Sequence, residues 1–310
     1  MKNFILGILL IALIASSGCL PNSNTQPRVF PTGRVFFFKP ESASHLTISR
    51  FQNGKTWTAE FQRSPSALWN ITTAPGGGPL LDTAAHSNFL EHLMDTVSTL
   101  SIISGASKGT DEQLGLARPQ WMFRITLQDH QTIEIIVGDQ DTQTHSRITK
   151  LSLGDKSEAV LTQGAFFGLL DHVKNFNSLR LSKLSQLQAD DLFEIKLLKE
   201  KKLTHSIKRE VSEWIAPLHR DVTEKVDAWL ERLVHLQIAD YIDDPKAQKE
   251  IEKKSKSGLS LQIIVTKLDK TQEKWTFWKI QQNIYAQSDV RGSLFFKMYD
   301  DAWNGLEKPF

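Results

Sequence analysis

The sequence predicts an α+β protein of two tandem similar domains, each an antiparallel-rich sheet with one main amphipathic helix. Three observations predict it. Leu90, Leu93, Met94, Val97 and Leu100 draw an apolar stripe down one helix, and the same spacing returns at Val226, Trp229, Leu230, Leu233 and Leu236. Runs of period-two alternation, such as Trp121, Phe123, Ile125 and Leu127, mark half-buried strands. Asn53-Gly54 between two β-rich runs marks a tight hairpin. A repeat this long describes two domains and not a solenoid, whose units are about 20 to 50 residues.

A chain of 310 residues, 40% hydrophobic and 23% charged, has a globular composition and enough length for two cores. Its formal charge of +2 gives no sign of nucleic-acid binding.

Residues 1–18 read as a secretion signal: one early charge at Lys2, an apolar run from Phe4 to Ala15, then Ser16-Ser17-Gly18. The run is shorter than the roughly 20 residues a spanning helix needs. The Cys19 that follows is the only cysteine, so the exported chain has no disulfide framework and no thiolate metal site. The segment resembles a bacterial lipoprotein signal, with Ser16 where leucine is usual. That resemblance implies cleavage before Cys19, acylation of its sulfur and new amine, and a membrane-lipid partner. Several acyl chains give a stable anchor where one does not. The expected location is the bacterial cell envelope, facing the periplasm, and Leu20 points to the outer membrane under enteric sorting rules. Residues 19–33 contain three prolines and show no periodicity, which predicts a tether reaching roughly 45 Å.

The first domain is expected over 34–178 and the second over 179–310. In the first, Arg34–Phe38, His45–Arg50, Trp57–Phe61 and a short segment at Trp69 lead to a Pro- and Gly-rich loop before the helix. That loop lacks the following Lys-Ser or Lys-Thr of a phosphate cradle, so it reads as a plain loop. Ser104–Gly109 reads as a loop, Trp121–Leu127 and Ile133–Val137 as a hairpin, and Ser146–Leu151 and Ala159–Thr162 as two further strands. Phe166–Leu170 reads as a helical turn covering the sheet. In the second domain Arg180–Leu187, Leu192–Leu198, Thr204–Lys208 and Trp214 answer the opening elements. Asp221 with Glu224 suggests a capping box. A charged stretch, Asp243–Lys256, precedes strands at Leu261–Val265, Trp275–Phe277, Asn283–Gln287 and Leu294–Met298, and Trp303 and Leu306 close the copy.

With these pieces in place, the chain resembles the domain-of-unknown-function family 4340 of exported and membrane-bound bacterial proteins. Trp69, the Leu90–Leu100 helix, Leu114-Gly115-Leu116 with Pro119, the Trp121–Leu127 strand and Ile135-Ile136-Val137-Gly138-Asp139 carry the resemblance. The second copy keeps Trp214, Pro217 and the helix but lacks the Gly-Leu-x-x-Pro and Val-Gly-Asp elements. The resemblance implies an α+β repeat and an envelope location, and some members look like accessory parts of gliding-type ABC transporter systems. It brings no catalytic residues.

Nine histidines show no ligand spacing: His86 and His92 lie six apart, off one helix face, and His145, His172, His205, His219 and His235 have no partner nearby in sequence. No metal site and no cofactor are expected. No Gly-x-Ser-x-Gly elbow is present, and the adjacent pairs Asp243-Asp244 and Asp300-Asp301 would point to opposite faces of a strand. Lysines cluster at 196–208 and 246–256, interleaved with glutamates. Trp275 and Trp278 cannot both face inward on one strand, which makes them the candidates for ligand or partner contact. The expected function is therefore a noncatalytic, membrane-anchored envelope lipoprotein acting as a protein-interaction or structural module, accessory to a transporter or motility assembly. The alternative is a solute- or glycan-binding lipoprotein with an interdomain cleft.

Overall fold

A computed structural model describes residues 29–307 apart from 37, 53, 78–79, 106–108, 142–145 and 218–219. The expected signal peptide, Cys19, residues 20–28 of the expected tether, His145 and His219 lie outside the described residues.

The first half runs β1 (Gly33–Arg34), β2 (Ala43–Gln52), β3 (Lys55–Arg63), β4 (Trp69–Thr73), α1 (Ser87–Ser98), β5 (Ser101–Gly105), β6 (Trp121–Leu127), β7 (Thr132–Gln140), β8 (Arg147–Leu153), β9 (Lys156–Gln163) and α2 (Ala165–His172). Its strands form one antiparallel sheet in the order β1-β5-β9-β8-β7-β6-β2-β3-β4. The second half runs β10 (Leu192–Lys199), β11 (Lys202–Glu210), β12 (Glu213–Ala216), β13 (Arg220–Asp221), α3 (Thr223–Val234), β14 (Ile238–Tyr241), α4 (Pro245–Ser255), β15 (Leu259–Lys267), β16 (Gln272–Ile280), β17 (Asn283–Ser288), β18 (Phe296–Met298) and α5 (Ala302–Glu307). Its antiparallel sheet has the order β13-β12-β11-β10-β15-β16-β17-β18-β14. The fold is α+β, with two antiparallel sheets.

Each sheet buries one face because its strands alternate. Phe123 and Ile125 of β6 meet Ile135 and Ile133 of β7, while Arg124 faces outward and pairs with Glu134 at 3.0 Å. The stripe of α1 is buried in the first core and that of α3 in the second, except for Leu236, which is half-buried. One hydrophobic cluster runs from Phe30 to Leu179 and the other from Leu184 to Leu306. Burying each leucine-sized side chain is worth about 1.5–3 kcal/mol, so each stripe holds its helix against its sheet.

Several expectations need correction. Phe30 is 5% exposed, inside the first core, and Gly33–Arg34 pairs with Ser101–Ile102, so residues 29–33 belong to the fold and not to the tether. Of the expected Arg34–Phe38 strand only Arg34 is in β1. Ser101–Gly105 is a strand where a loop was expected from Ser104, and Ile238–Tyr241 is another unforeseen strand. Both are short, and pairing with β9 and β18 stabilises them where their own sequence does not. Asp243–Lys256 folds largely as α4, with Asp244 capping the backbone N–H of Lys246 at 2.9 Å and Pro245 at the first turn. The N-cap of α3 is Val222 and not the expected Asp221, and Val222 caps nothing with its side chain. The hydroxyl of Thr223 instead accepts from the Trp214 N–H at 2.9 Å.

Candidate functional site

The chain between the two cores does more than connect them. The N–H of Leu181 donates to the Ala84 carbonyl and that of His86 to the Leu179 carbonyl, while Arg180 bridges Ala85. On the other side, Ile238 donates to the Ser182 carbonyl at 2.7 Å and Lys183 bridges Gln237. Residues 179–183 are thus tied to the loop before α1 in the first half and to the start of β14 in the second.

Four charged side chains close this seam. Arg180 is 1% exposed; its guanidinium donates to both carboxylate oxygens of Asp243, at 2.5 and 3.0 Å, and to the Asp82 backbone carbonyl at 3.0 Å. Arg291 donates to the Asp82 carboxylate and to the carbonyls of Leu181 and Lys183, at 3.0 and 2.6 Å. The ring of Tyr241 lies 3.8 Å from the Arg180 guanidinium carbon, and its hydroxyl donates to the Leu181 carbonyl at 2.8 Å. Burial pushes the Tyr241 phenol up to about 12, against the opposing pull of Arg291 and Arg180. Asp82 belongs to the first half and Arg291, Asp243 and Tyr241 to the second, so the Asp82–Arg291 pair spans the seam, while Arg180 of the connecting segment lies between Asp82 and Asp243. Two guanidiniums face two carboxylates, and a buried charge persists when it is paired and hydrogen-bonded in this way. The geometry is that of a joint, with both carboxylates engaged by arginine. Sequence reading missed it because its members lie far apart in the chain and show no spacing.

Two of the elements that carry the family resemblance meet at one place on the first sheet. Gly115 has φ +69°, and a Cβ there would sit 2.5 Å from the Asp139 side chain; a Cβ on Gly138 would sit 2.5 Å from the Leu114 carbonyl oxygen. Leu114 and Leu116 are buried, and the Asp139 N–H donates to the Leu114 carbonyl. The Leu-Gly-Leu and Val-Gly-Asp elements are therefore two halves of one close backbone contact, in which glycine is the residue that fits.

Trp275 is 2% exposed, among the core residues of the second sheet, so it is closed to a ligand and its candidacy as a contact residue is corrected. Trp278 points from the opposite face, half-buried, with its ring 5.1 Å from that of Phe295. The two lie on opposite sides because β16 continues regularly between them. His86 caps α1 by accepting from the Phe89 N–H at 3.3 Å, and His92 is exposed on that helix. Among the described residues no group of three His, Cys, Asp or Glu can hold a metal ion, and no helix is long and apolar enough to cross a membrane. Part of each lysine cluster is paired locally: Lys196 and Lys208 with Glu194, Lys199 with Glu307, and Lys254 with Glu250.

No curated protein and no solved structure matches the chain. A family model described as a domain of unknown function, DUF4340, matches residues 81–259, from the loop before α1, through the glycine contact and across the seam to the start of β15. The chain belongs to the DUF4340 family.

Proposed function

We propose that this protein is a noncatalytic envelope lipoprotein, anchored through acylated Cys19, whose two halves are tandem copies of one unit held as a rigid module for protein–protein contact. The observation that carries the reading is the Arg180–Arg291–Asp82–Asp243 joint. A solute receptor that closes on its ligand needs a hinge that absorbs backbone rotation. Here the connecting residues are hydrogen-bonded to both halves and sealed by the ion pairs of two buried arginines. Such a joint suits a spacer that holds two surfaces at a constant angle.

Duplication is supported at three further places. The strand orders correspond position for position, from β5-β9-β8-β7-β6-β2-β3-β4 to β14-β18-β17-β16-β15-β10-β11-β12. Arg63 lies opposite Trp69 with its guanidinium carbon 5.9 Å from the ring, as Arg209 does with Trp214; the backbone N–H of each tryptophan donates at 2.9 Å to the hydroxyl of the first helical residue, Ser87 or Thr223. The closing helices share Ala-aromatic-x-Gly-Leu, in Ala165–Leu169 and Ala302–Leu306. The partner in this reading is an envelope protein of a transporter or motility assembly, the setting of some relatives.

Crosslinking in intact cells, followed by membrane fractionation, tests the proposal. The native chain should run with membranes in a discrete complex, and Cys19→Ala should release it or stall its processing. A chain that stays membrane-bound as Cys19→Ala after processing, or that crosslinks to nothing at native abundance, refutes the reading.

A further inference from the structure

Beside the joint, the seam opens into a cavity of about 330 Å³. The volume lies at the lower end of the range for small-molecule sites, roughly 300–1,000 Å³. Its lining includes Lys183, His86, Asn88, Gln186, Gln188 and Gln237, and no carboxylate. Lys183 is half-buried, and among the described residues its ammonium has no ion pair or hydrogen bond. The four amide side chains are solvent-exposed at the cavity mouth and make no side-chain hydrogen bond to other described residues. His86 accepts the Phe89 N–H at Nδ1, which puts the proton of the neutral ring on Nε2. Burial is the main cause that holds this imidazole below its ordinary pKa, and the Lys183 charge adds to it, so the ring is a neutral donor at pH 7. The walls thus offer one uncompensated cation, a histidine N–H and several amide donors.

We propose that this cavity binds a small polyhydroxylated molecule bearing one anionic group, carboxylate or phosphate, with Lys183 as the counter-ion. No carboxylate lines the cavity to neutralise the Lys183 ammonium, and an anion bound there supplies the opposite charge with a charge-assisted hydrogen bond. The anion alone would leave most of the volume unfilled, and the unengaged amides match hydroxyl groups that both donate and accept. Trp275 and Trp278 play no part in this site, since neither is among the residues that line it. The proposal is independent of the module reading, because a pre-formed cavity needs no hinge.

Calorimetric titration of the full chain, purified in detergent, tests it with four probes: glucuronate, glucose 6-phosphate, glucose and inorganic phosphate. At least one of the two sugar anions should bind tenfold or more tightly than both glucose and inorganic phosphate, and the stronger of them tells carboxylate from phosphate. Lys183→Met should weaken that binding at least tenfold, while Lys183→Arg keeps part of it. Because Lys183 carries no internal ion pair, Lys183→Met should melt at or above the temperature of the parent when no probe is present. If neither sugar anion binds at millimolar concentration, if glucose or phosphate binds as tightly, or if a folded Lys183→Met binds like the parent, the proposal is overturned.

Discussion

Replacing Asp82 by Asn tests the joint with almost no change in volume. The Asp82 carboxylate is buried, takes hydrogen bonds from Arg291 and the Ala84 N–H, and lies 3.9 Å from Arg180. The substitution leaves the buried Arg291 guanidinium without a carboxylate partner, while Arg180 keeps Asp243. Removing one partner of a buried pair typically costs about 3–5 kcal/mol. The Asn oxygen still accepts one hydrogen bond, which puts the expected cost at about 3 kcal/mol, near the low end of that range. The seam should feel this before either core does, since the Phe30–Leu179 and Leu184–Leu306 clusters do not use Asp82. Calorimetry should therefore resolve two transitions in the variant where the parent has one, and spin labels on the two halves should report a broader distance distribution. A single transition at the parental midpoint, with an unchanged distribution, would refute the argument that this joint couples the halves.

Leu93→Ala and Leu230→Ala should each lower stability by about 2–5 kcal/mol in urea titrations, because both leucines are buried in their cores; parental midpoints for both would remove the helices from the cores. Gly138→Ala should cost about 1–3 kcal/mol, since the new methyl meets the Leu114 carbonyl oxygen at 2.5 Å and backbone must move. Gly77→Ala, at φ +70° with open space around it, should cost only about 1 kcal/mol, and a larger loss than at Gly138 would show that the pre-helix loop matters more than the glycine contact. Tyr241 has a raised pKa in the fold, so the protonated phenol is the stabilised form. Its contribution is complete below the ordinary value of 10 and is lost as pH rises from there through about 12. The melting temperature should fall over that window, and Tyr241→Phe should flatten the fall; a parallel fall in the variant would assign it to other groups.

The sequence by itself determined the elements that local periodicity encodes. The stripes of α1 and α3 and the alternation of β6, β7, β15 and β16 were legible because burying one face of a helix or strand imposes a fixed spacing on the chain. The Leu-Gly-Leu and Val-Gly-Asp elements could be read as family marks, yet not as contacts, because a Cβ clash between Gly115 and Asp139 exists only once the backbones meet. The short strands β5 and β14 were not legible either, since their stability comes from pairing at β9 and β18 and not from their own residues. Arg180, Asp82, Asp243 and Arg291 looked like ordinary charges in the chain. Tertiary structure alone made them a joint, because a long-range ion pair has no period, and only folding brings Asp82 to Arg291 across 209 positions of sequence and removes both from water.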